Sequence, residues 1–188
     1  SEMCIRDRVV VKQEKSGYQI VEAYKSLRTN LQFCGEDKKV IAVTSCTPNE
    51  GKSSVSMQLG ISLAESGKRV ILIDADLRKS VLLGRTKTQK SVRGLAHFLS
   101  GQATLEDVIC STNVKNFYMI YSGPFPPNPA ELLGGKNFRS LLNALRKVYD
   151  YVIVDTPPLG SVIDSAIVAE ICDCLLYTSP SPRDGLLS

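Results

Sequence analysis

The chain has 188 residues, 43% of them hydrophobic, and a net charge of +4. This length and composition suit one globular domain with a substantial core, and the mild charge gives no argument for a nucleic-acid partner. No apolar run approaches the roughly 20 residues that a membrane-spanning helix needs. The six cysteines show no CxxC spacing, which argues against a zinc site and indicates a reducing compartment.

Both ends of the chain are predicted to be non-native. Residues 1–7 can be encoded by TCG GAG ATG TGT ATA AGA GAC, and the reverse complement of that string, extended by one A, encodes residues 174–180. The shared DNA resembles a transposon-end adapter used in sequencing libraries. We therefore expect residues 1–8 and 174–188 to be adapter-derived, so that they carry no information about the native fold. Residues 9–173 then form one incomplete domain.

The first predicted element is a helix over residues 18–33. Tyr24, Leu27 and Leu31 recur at helical spacing on one face, and charged residues occupy another face. An apolar strand over 40–43 follows, and then a loop that leads into a second helix over 55–66, which ends at a glycine.

The loop between that strand and the second helix has the pattern of a phosphate-binding loop. Its predicted nucleotide-binding residues are Thr47, Pro48, Asn49, Glu50, Gly51, Lys52, Ser53 and Ser54. Loop N–H groups and the helix N-terminus would face the anion, the Lys52 ammonium would reach the outer phosphates, and the Ser53 hydroxyl would ligate Mg²⁺. Cys46 stands where the full pattern has its first glycine, so the loop must enter through ordinary backbone angles.

Acidic residues follow two further apolar strands. Asp74 and Asp76 come after a strand over 69–73, and Asp155 comes after a strand over 151–154. Any one of these aspartates, taken alone, is better explained as a helix cap or a turn residue. Ligands of parallel sheets bind beyond the carboxyl ends of the strands, so three carboxylates beside a phosphate loop favour Mg²⁺ and proton chemistry.

The remaining pattern continues the alternation of strands and helices. It predicts a mobile polar segment over 80–90, a short helix opened by Thr104 and Asp107, a strand over 117–120, a helix capped by Asn128, and a helix over 138–148. The fold class is therefore α/β, with a mostly parallel sheet covered by helices on both faces. The single histidine, His97, is not predicted to be catalytic, because phosphoryl transfer needs positioning and charge rather than imidazole.

Several of these segments together resemble a known family. Residues 22–31, the phosphate loop, and residues 72–78, 122–133 and 155–158 are similar to the bacterial tyrosine kinases of capsule and exopolysaccharide synthesis. The resemblance implies a P-loop NTPase-like fold, here truncated at its C-terminal side. It also implies an ATP-dependent protein-tyrosine (auto)kinase that uses ATP and Mg²⁺ and regulates polysaccharide synthesis and export.

The same resemblance implies roles for individual residues. Lys52 would contact the β- and γ-phosphates, and Ser53 would be a direct Mg²⁺ ligand. Asp76 and Asp155 would hold the metal, directly or through water. Asp74 would be the base for the tyrosine hydroxyl, and Lys52 and Asp74 are thus the expected catalytic residues.

The resemblance further implies partners and a location. The family's oligomerisation motif, Glu-x-x-Arg-x-x-Arg, corresponds to Glu22, Lys25 and Arg28, and lysine cannot reproduce a bidentate guanidinium contact. We expect a homo-oligomeric ring with a weakened contact, at the inner face of the plasma membrane, bound to a membrane-spanning polysaccharide co-polymerase that is fused or separate. The family's C-terminal tyrosine cluster is missing after Asp173, and residues 175–177 are expected to imitate the lost strand.

Two alternatives remain at this point. A ParA/MinD-like ATPase switch shares the arrangement of the aspartates, but those proteins carry an extra lysine where this chain has Thr47. The other alternative is an inactive fragment of a kinase. Only a competent kinase would label tyrosine.

Overall fold

The computed structural model describes residues 7–11, 18–45, 52–77, 86–87, 93–157, 166–167 and 170–178. The strands are β1 (Asp7–Val11), β2 (Val40–Ser45), β3 (Val70–Asp74), β4 (Thr86–Lys87), β5 (Cys110–Thr112), β6 (Phe117–Ile120), β7 (Tyr151–Asp155) and β8 (Cys174–Thr178). The helices are α1 (Tyr18–Phe33), α2 (Lys52–Glu65), α3 (Leu95–Leu99), α4 (Leu105–Val108), α5 (Pro129–Gly134) and α6 (Lys136–Val148).

The strands form one sheet in the order β4-β1-β5-β6-β3-β7-β2-β8. Along the run β6-β3-β7-β2-β8, each strand is parallel to the next. Antiparallel pairing occurs between β5 and β6 and between β1 and β4. The prediction of a mostly parallel α/β sheet is therefore confirmed, and the carboxyl ends of the central strands share one edge.

Alternate residues of each central strand face opposite layers of helices. In β2, Ile41 and Val43 belong to the core cluster that contains α1 and α2 residues, whereas Val40 and Ala42 belong to the cluster that contains residues of α3, α5 and α6. All six residues of β2 are buried. This explains why the sequence shows continuous apolar runs, because a parallel strand buried on both faces has no polar side.

Two of the predicted helices and one predicted strand match closely. Helix α1 has the predicted bounds, and α6 and β6 lie where the pattern placed them. Helix α2 begins three residues earlier than predicted, at Lys52, and Gly67 after it has a φ of +90°, as a glycine helix stop requires. Most of the segment predicted to be mobile, residues 80–90, lies outside the described residues, apart from β4.

The two segments predicted to be adapter-derived contribute to the sheet. Asp7 and Arg8 pair with β5, and β8 lies parallel to β2, with Val43 opposite Leu176. Residues 175–177 thus lie within a strand, β8. The origin of these segments and the bounds of the domain stay predictions.

Candidate functional site

The site is built where β2, β3 and β7 end at the same edge of the sheet. Asp74, the last residue of β3, lies directly opposite Asp155, the last residue of β7. Both carboxylates are buried, with 1% of each residue exposed. On the other side of β7, Val43 of β2 pairs with Asp155, and the chain that follows β2 leads to α2. The predicted convergence of the strand ends is present in the structure.

The first turn of α2 directs two predicted phosphate-site residues at Asp155. The Lys52 ammonium makes an ion pair with Asp155 Oδ1, and the Ser53 hydroxyl donates to Asp155 Oδ2 at 2.8 Å. Both side chains are buried. A buried carboxylate needs a compensating charge and donors, and here Lys52 and Ser53 supply them.

Asp74 and Asp76 form a local turn after β3. The Asp76 N–H donates to Asp74 Oδ1 at 3.2 Å, and Asp76 itself is partly exposed. This hydrogen bond is typical of an aspartate in a turn, which is the role expected for a single aspartate at this position. The structure therefore places Asp74 beside Asp155 and leaves the separate roles of the three carboxylates as predictions.

Five of the predicted nucleotide-binding residues, Thr47 to Gly51, lie outside the described residues. Besides Lys52 and Ser53, the described residues include Ser54, which is half-buried in the first turn of α2. The described part of the site is thus the start of α2 and the carboxylates that face it.

The oxygen atoms present at this edge fit a small hard cation. Octahedral Mg²⁺ with ligands at about 2.1 Å places adjacent ligand oxygens about 2.9 Å apart. Ser53 Oγ and Asp155 Oδ2 are 2.8 Å apart, so both atoms suit one coordination sphere. Among the described residues there is no group of three or more His, Cys, Asp or Glu side chains that would hold a metal unaided.

Two supporting residues were not predicted from the sequence. Thr156 donates to Val43 O through both its N–H, at 3.1 Å, and its hydroxyl, at 2.9 Å, and so ties the end of β7 to β2. The Ser56 hydroxyl lies 3.0 Å from Lys52 O and 3.3 Å from Asp155 Oδ1. The signal for Ser56 was its spacing, since it lies one helical turn after Lys52 and therefore on the same face.

The charged residues predicted for oligomerisation lie on α1. Glu22 and Lys25 form an exposed ion pair at 3.1 Å. Arg28 instead donates from Nη1 to Ser62 O at 3.1 Å, on the neighbouring helix α2. Arg28 thus has a structural contact within the chain, whereas Glu22 and Lys25 face outward.

His97 has a local contact of its own. Its Nδ1 accepts a hydrogen bond from the Gly94 N–H at 3.0 Å, at the start of α3. Gly94 itself lies against the backbone that follows β6, where a Cβ atom would lie 2.3 Å from Gly123 N. His97 therefore helps to cap the helix that packs on this segment.

Comparison with known proteins agrees with this geometry. The AAA domain family matches residues 38–178. The tyrosine-protein kinase CpsD of Streptococcus agalactiae serotype III is 43% identical over 162 residues, which cover 86% of this chain and 70% of that protein. The chain belongs to the bacterial tyrosine-protein kinase family.

Solved structures place this kinase domain in the same family. The BceF tyrosine kinase domain superposes with a TM-score of 0.75 and 40% identity, over 84% of this chain and 64% of the BceF chain. The kinase domain of the Escherichia coli tyrosine kinase ETK gives a TM-score of 0.80 and 31% identity, over 92% of this chain and 77% of its own. The fold is thus P-loop NTPase-like, as predicted.

MinD of Pyrococcus horikoshii, solved with Mg-ADP, is a more distant neighbour. It has a TM-score of 0.62 and 24% identity, over 77% of this chain and 59% of MinD. At that identity the likeness shows a shared fold alone, so the ParA/MinD-like alternative is not supported as the function of this kinase domain. No helix among the described residues is long and apolar enough to cross a membrane.

Proposed function

We propose that this kinase domain binds Mg·ATP at the carboxyl edge of β2, β3 and β7 and transfers the γ-phosphoryl group to tyrosine hydroxyls. The observation that supports this site is the buried set formed by Lys52, Ser53 and Asp155, with Asp74 on the adjacent strand. In this set, Lys52 is a cation that can bind phosphate. The oxygens of Ser53 and Asp155 can ligate a metal, and Asp74 is a second carboxylate that can accept a proton.

Lys52 changes its partner when nucleotide binds. In the structure its ammonium neutralises Asp155, and we propose that it turns to the β- and γ-phosphates while Asp155 and Ser53, with Asp76, hold Mg²⁺. When bound there, Mg²⁺ would neutralise charge on the phosphates. The exchange keeps every buried charge paired, because the phosphates replace Asp155 as the partner of Lys52.

Asp74 is the proposed base for the acceptor. The tyrosine oxygen forms a bond to the γ-phosphorus, the bond from that phosphorus to ADP breaks, and the phenolic proton passes to the Asp74 carboxylate. A phenol has a pKa of about 10, so a carboxylate that accepts its proton during attack assists the transfer.

The wider biological role is also a proposal. We propose that the parent kinase regulates capsule or exopolysaccharide synthesis and export, as relatives in capsule regions suggest. Its partners would be neighbouring kinase subunits in a ring and a membrane-spanning activator, which would hold it at the inner face of the plasma membrane. The exposed pair of Glu22 and Lys25 offers a charged surface for the subunit contact.

Lys52→Met tests the nucleotide site. The variant should lose binding of a fluorescent ADP analogue in Mg²⁺ and should lose tyrosine phosphorylation, because no other described cation faces Asp155. Lys38→Met is the matched control, since Lys38 is a partly exposed lysine before β2, at the opposite edge of the sheet. Unchanged binding and phosphorylation in Lys52→Met would refute the proposed site.

A further inference from the structure

Ser56 is a buried polar residue for which the proposed reaction has so far given no role. It is completely buried in α2, one turn after Lys52. Its hydroxyl lies within hydrogen-bond distance of two acceptors, Lys52 O at 3.0 Å and Asp155 Oδ1 at 3.3 Å. The second acceptor belongs to a different element, β7, and is the same oxygen that the Lys52 ammonium contacts.

One hydroxyl has one proton, so Ser56 donates to one of these acceptors at a time. While Lys52 neutralises Asp155 Oδ1, that oxygen already has a strong donor, and the shorter contact of Ser56 is to the Lys52 carbonyl. A serine bonded only to the carbonyl four residues earlier is common in helices and has no further meaning. The nearby carboxylate oxygen is what distinguishes Ser56 from such a residue.

The departure of Lys52 changes this balance. When its ammonium turns to a phosphate, Asp155 Oδ1 loses its cation while the carboxylate remains buried. A buried acceptor without a donor is costly. Rotation of the Ser56 hydroxyl would supply a donor without moving any heavy atom, and Lys52 O would keep the backbone hydrogen bond of the helix.

We propose that Ser56 is a positioning residue that turns its proton from Lys52 O to Asp155 Oδ1 when Lys52 leaves for the nucleotide. This proposal rests on the proposed function, because it assumes that Lys52 changes partner. Its consequence is that Asp155 keeps its orientation, with Oδ2 beside the Ser53 hydroxyl and available to the metal. Ser56 therefore supports Mg²⁺ binding without contacting Mg²⁺ or substrate.

The test compares Ser56→Ala, Ser56→Thr and Ser62→Ala in the full chain. Ser62 is also a buried serine of α2, but only its backbone carbonyl is used in the contact with Arg28. The measurement is binding of a fluorescent ADP analogue, titrated with Mg²⁺ and repeated without it, together with the thermal unfolding midpoint of each variant without nucleotide.

Ser56→Ala should weaken the apparent Mg²⁺ affinity about 10-fold, the lower end of what loss of a residue that orients a metal ligand costs. Its binding of the analogue without Mg²⁺ should be unchanged. Ser56→Thr retains the hydroxyl and should recover the Mg²⁺ affinity, and Ser62→Ala should behave as wild type.

The proposal is overturned if Ser56→Ala titrates with Mg²⁺ like wild type. It is equally overturned if that variant loses binding to the same extent with and without Mg²⁺, since that result describes a purely structural serine. Lys52→Met separates this failure from failure of the proposed function. If Lys52→Met abolishes binding and Ser56→Ala has no effect, only the role of Ser56 is wrong, whereas retained binding in Lys52→Met removes the basis of both.

Discussion

Asp155 shows how the site is assembled from single residues. One carboxylate accepts from the Lys52 ammonium and the Ser53 hydroxyl, and it lies within reach of a third donor, Ser56. Parallel strands end at one edge, so the sequence could predict that Asp155 and Lys52 would meet. The spacing of Ser56 puts it on the same helix face as Lys52, but whether its hydroxyl reaches the same oxygen depends on how α2 is rotated against β7.

Asp74→Asn tests whether the carboxylate of this single residue is the base for the tyrosine hydroxyl. The amide oxygen can still accept from the Asp76 N–H, so the turn should persist, whereas an amide cannot take up the phenolic proton. Tyrosine phosphorylation should fall by about 10²–10⁴-fold while nucleotide affinity is retained. Initial rates on a tyrosine peptide and binding of a fluorescent ADP analogue measure the two quantities.

Asp150→Asn is a suitable control for that experiment. Asp150 accepts a hydrogen bond from the Arg69 N–H at 2.8 Å, at the opposite edge of the sheet. The Asp150→Asn variant should keep a rate of tyrosine phosphorylation and a nucleotide affinity near those of wild type. If Asp74→Asn loses nucleotide affinity and its rate at saturating nucleotide is normal, Asp74 is a metal or structural residue and not the base.

At the scale of elements, the sequence predicts best where the pattern is long. Helix α1 follows from sustained apolar periodicity, and strands β3 and β7 follow from continuous apolar runs. The start of α2 was placed too late because its first turn, Lys-Ser-Ser, has no apolar residue that would reveal helical period. The short strands β1, β4 and β5 were not predicted, since they depend on pairing partners distant in sequence.

Contact between α2 and β6 yields a prediction about packing. A Cβ atom on Gly60 would lie 2.5 Å from Cε2 of Phe117, a ring that is itself almost fully buried. Alanine favours helix over glycine by about 1 kcal/mol, but overpacking a core costs about 1–3 kcal/mol. Gly60→Ala should therefore lower the free energy of unfolding, by up to about 2 kcal/mol on these figures.

Urea unfolding of Gly60→Ala, Phe117→Leu and the double variant measures the coupling between the two residues. A smaller side chain at position 117 should relieve the clash, so the double variant should be more stable than the sum of the single changes predicts. A stabilised Gly60→Ala variant would show instead that the ring can move, and that helix propensity dominates.

For the whole molecule, Asp173 joins three elements. Its carboxylate accepts from the N–H groups of Lys39 and Val40, both at 2.9 Å, and from Arg146 at the end of α6 at 2.9 Å. Its own N–H donates to Val40 O, just before β8 begins. Partial burial alone would raise the pKa of Asp173, but the hydrogen bonds from Val40 and Arg146 outweigh it and hold that pKa below its ordinary value of 3.8.

This shift predicts how stability depends on pH. A carboxyl group whose folded pKa is lowered stabilises the fold fully above its unfolded pKa, and the stabilisation is lost as the pH falls through the folded pKa. Asp173→Asn should therefore be less stable than wild type near pH 7, and the difference should shrink as the pH falls below about 4. Urea unfolding across this range tests it, with the exposed Asp37→Asn as control. A difference independent of pH would assign the loss to packing and not to ionisation.

Assembly of subunits can be tested through the exposed ion pair of α1. Such a pair contributes at most about 1 kcal/mol, so reversing one charge should not unfold the domain. Glu22→Lys should dissociate a ring that uses this surface, measured by light scattering, whereas the same reversal at the exposed Glu65 should not. Arg28 is unsuitable for this purpose, because its substitution would also break the contact with Ser62. An oligomer that survives Glu22→Lys would place the subunit contact elsewhere.

The position of the tyrosines predicts where phosphate can be accepted. Tyr24, Tyr121, Tyr149 and Tyr151 are each at most 8% exposed, and burial raises the pKa of Tyr149 to about 12, although the nearby Arg69 opposes that rise. A phenol must reach a γ-phosphate in line and release its proton, so these four side chains cannot serve as acceptors while the domain is folded.

With Mg·ATP, the chain should therefore label an added tyrosine peptide far more than these four residues of its own sequence. Mass spectrometry of the folded chain after incubation locates the phosphate, and Lys52→Met supplies the background that a contaminating kinase would give. Labelling on any of the four, at a rate that matches the peptide, would require the domain to open during the reaction and would contradict the packing described for α1, β6 and β7.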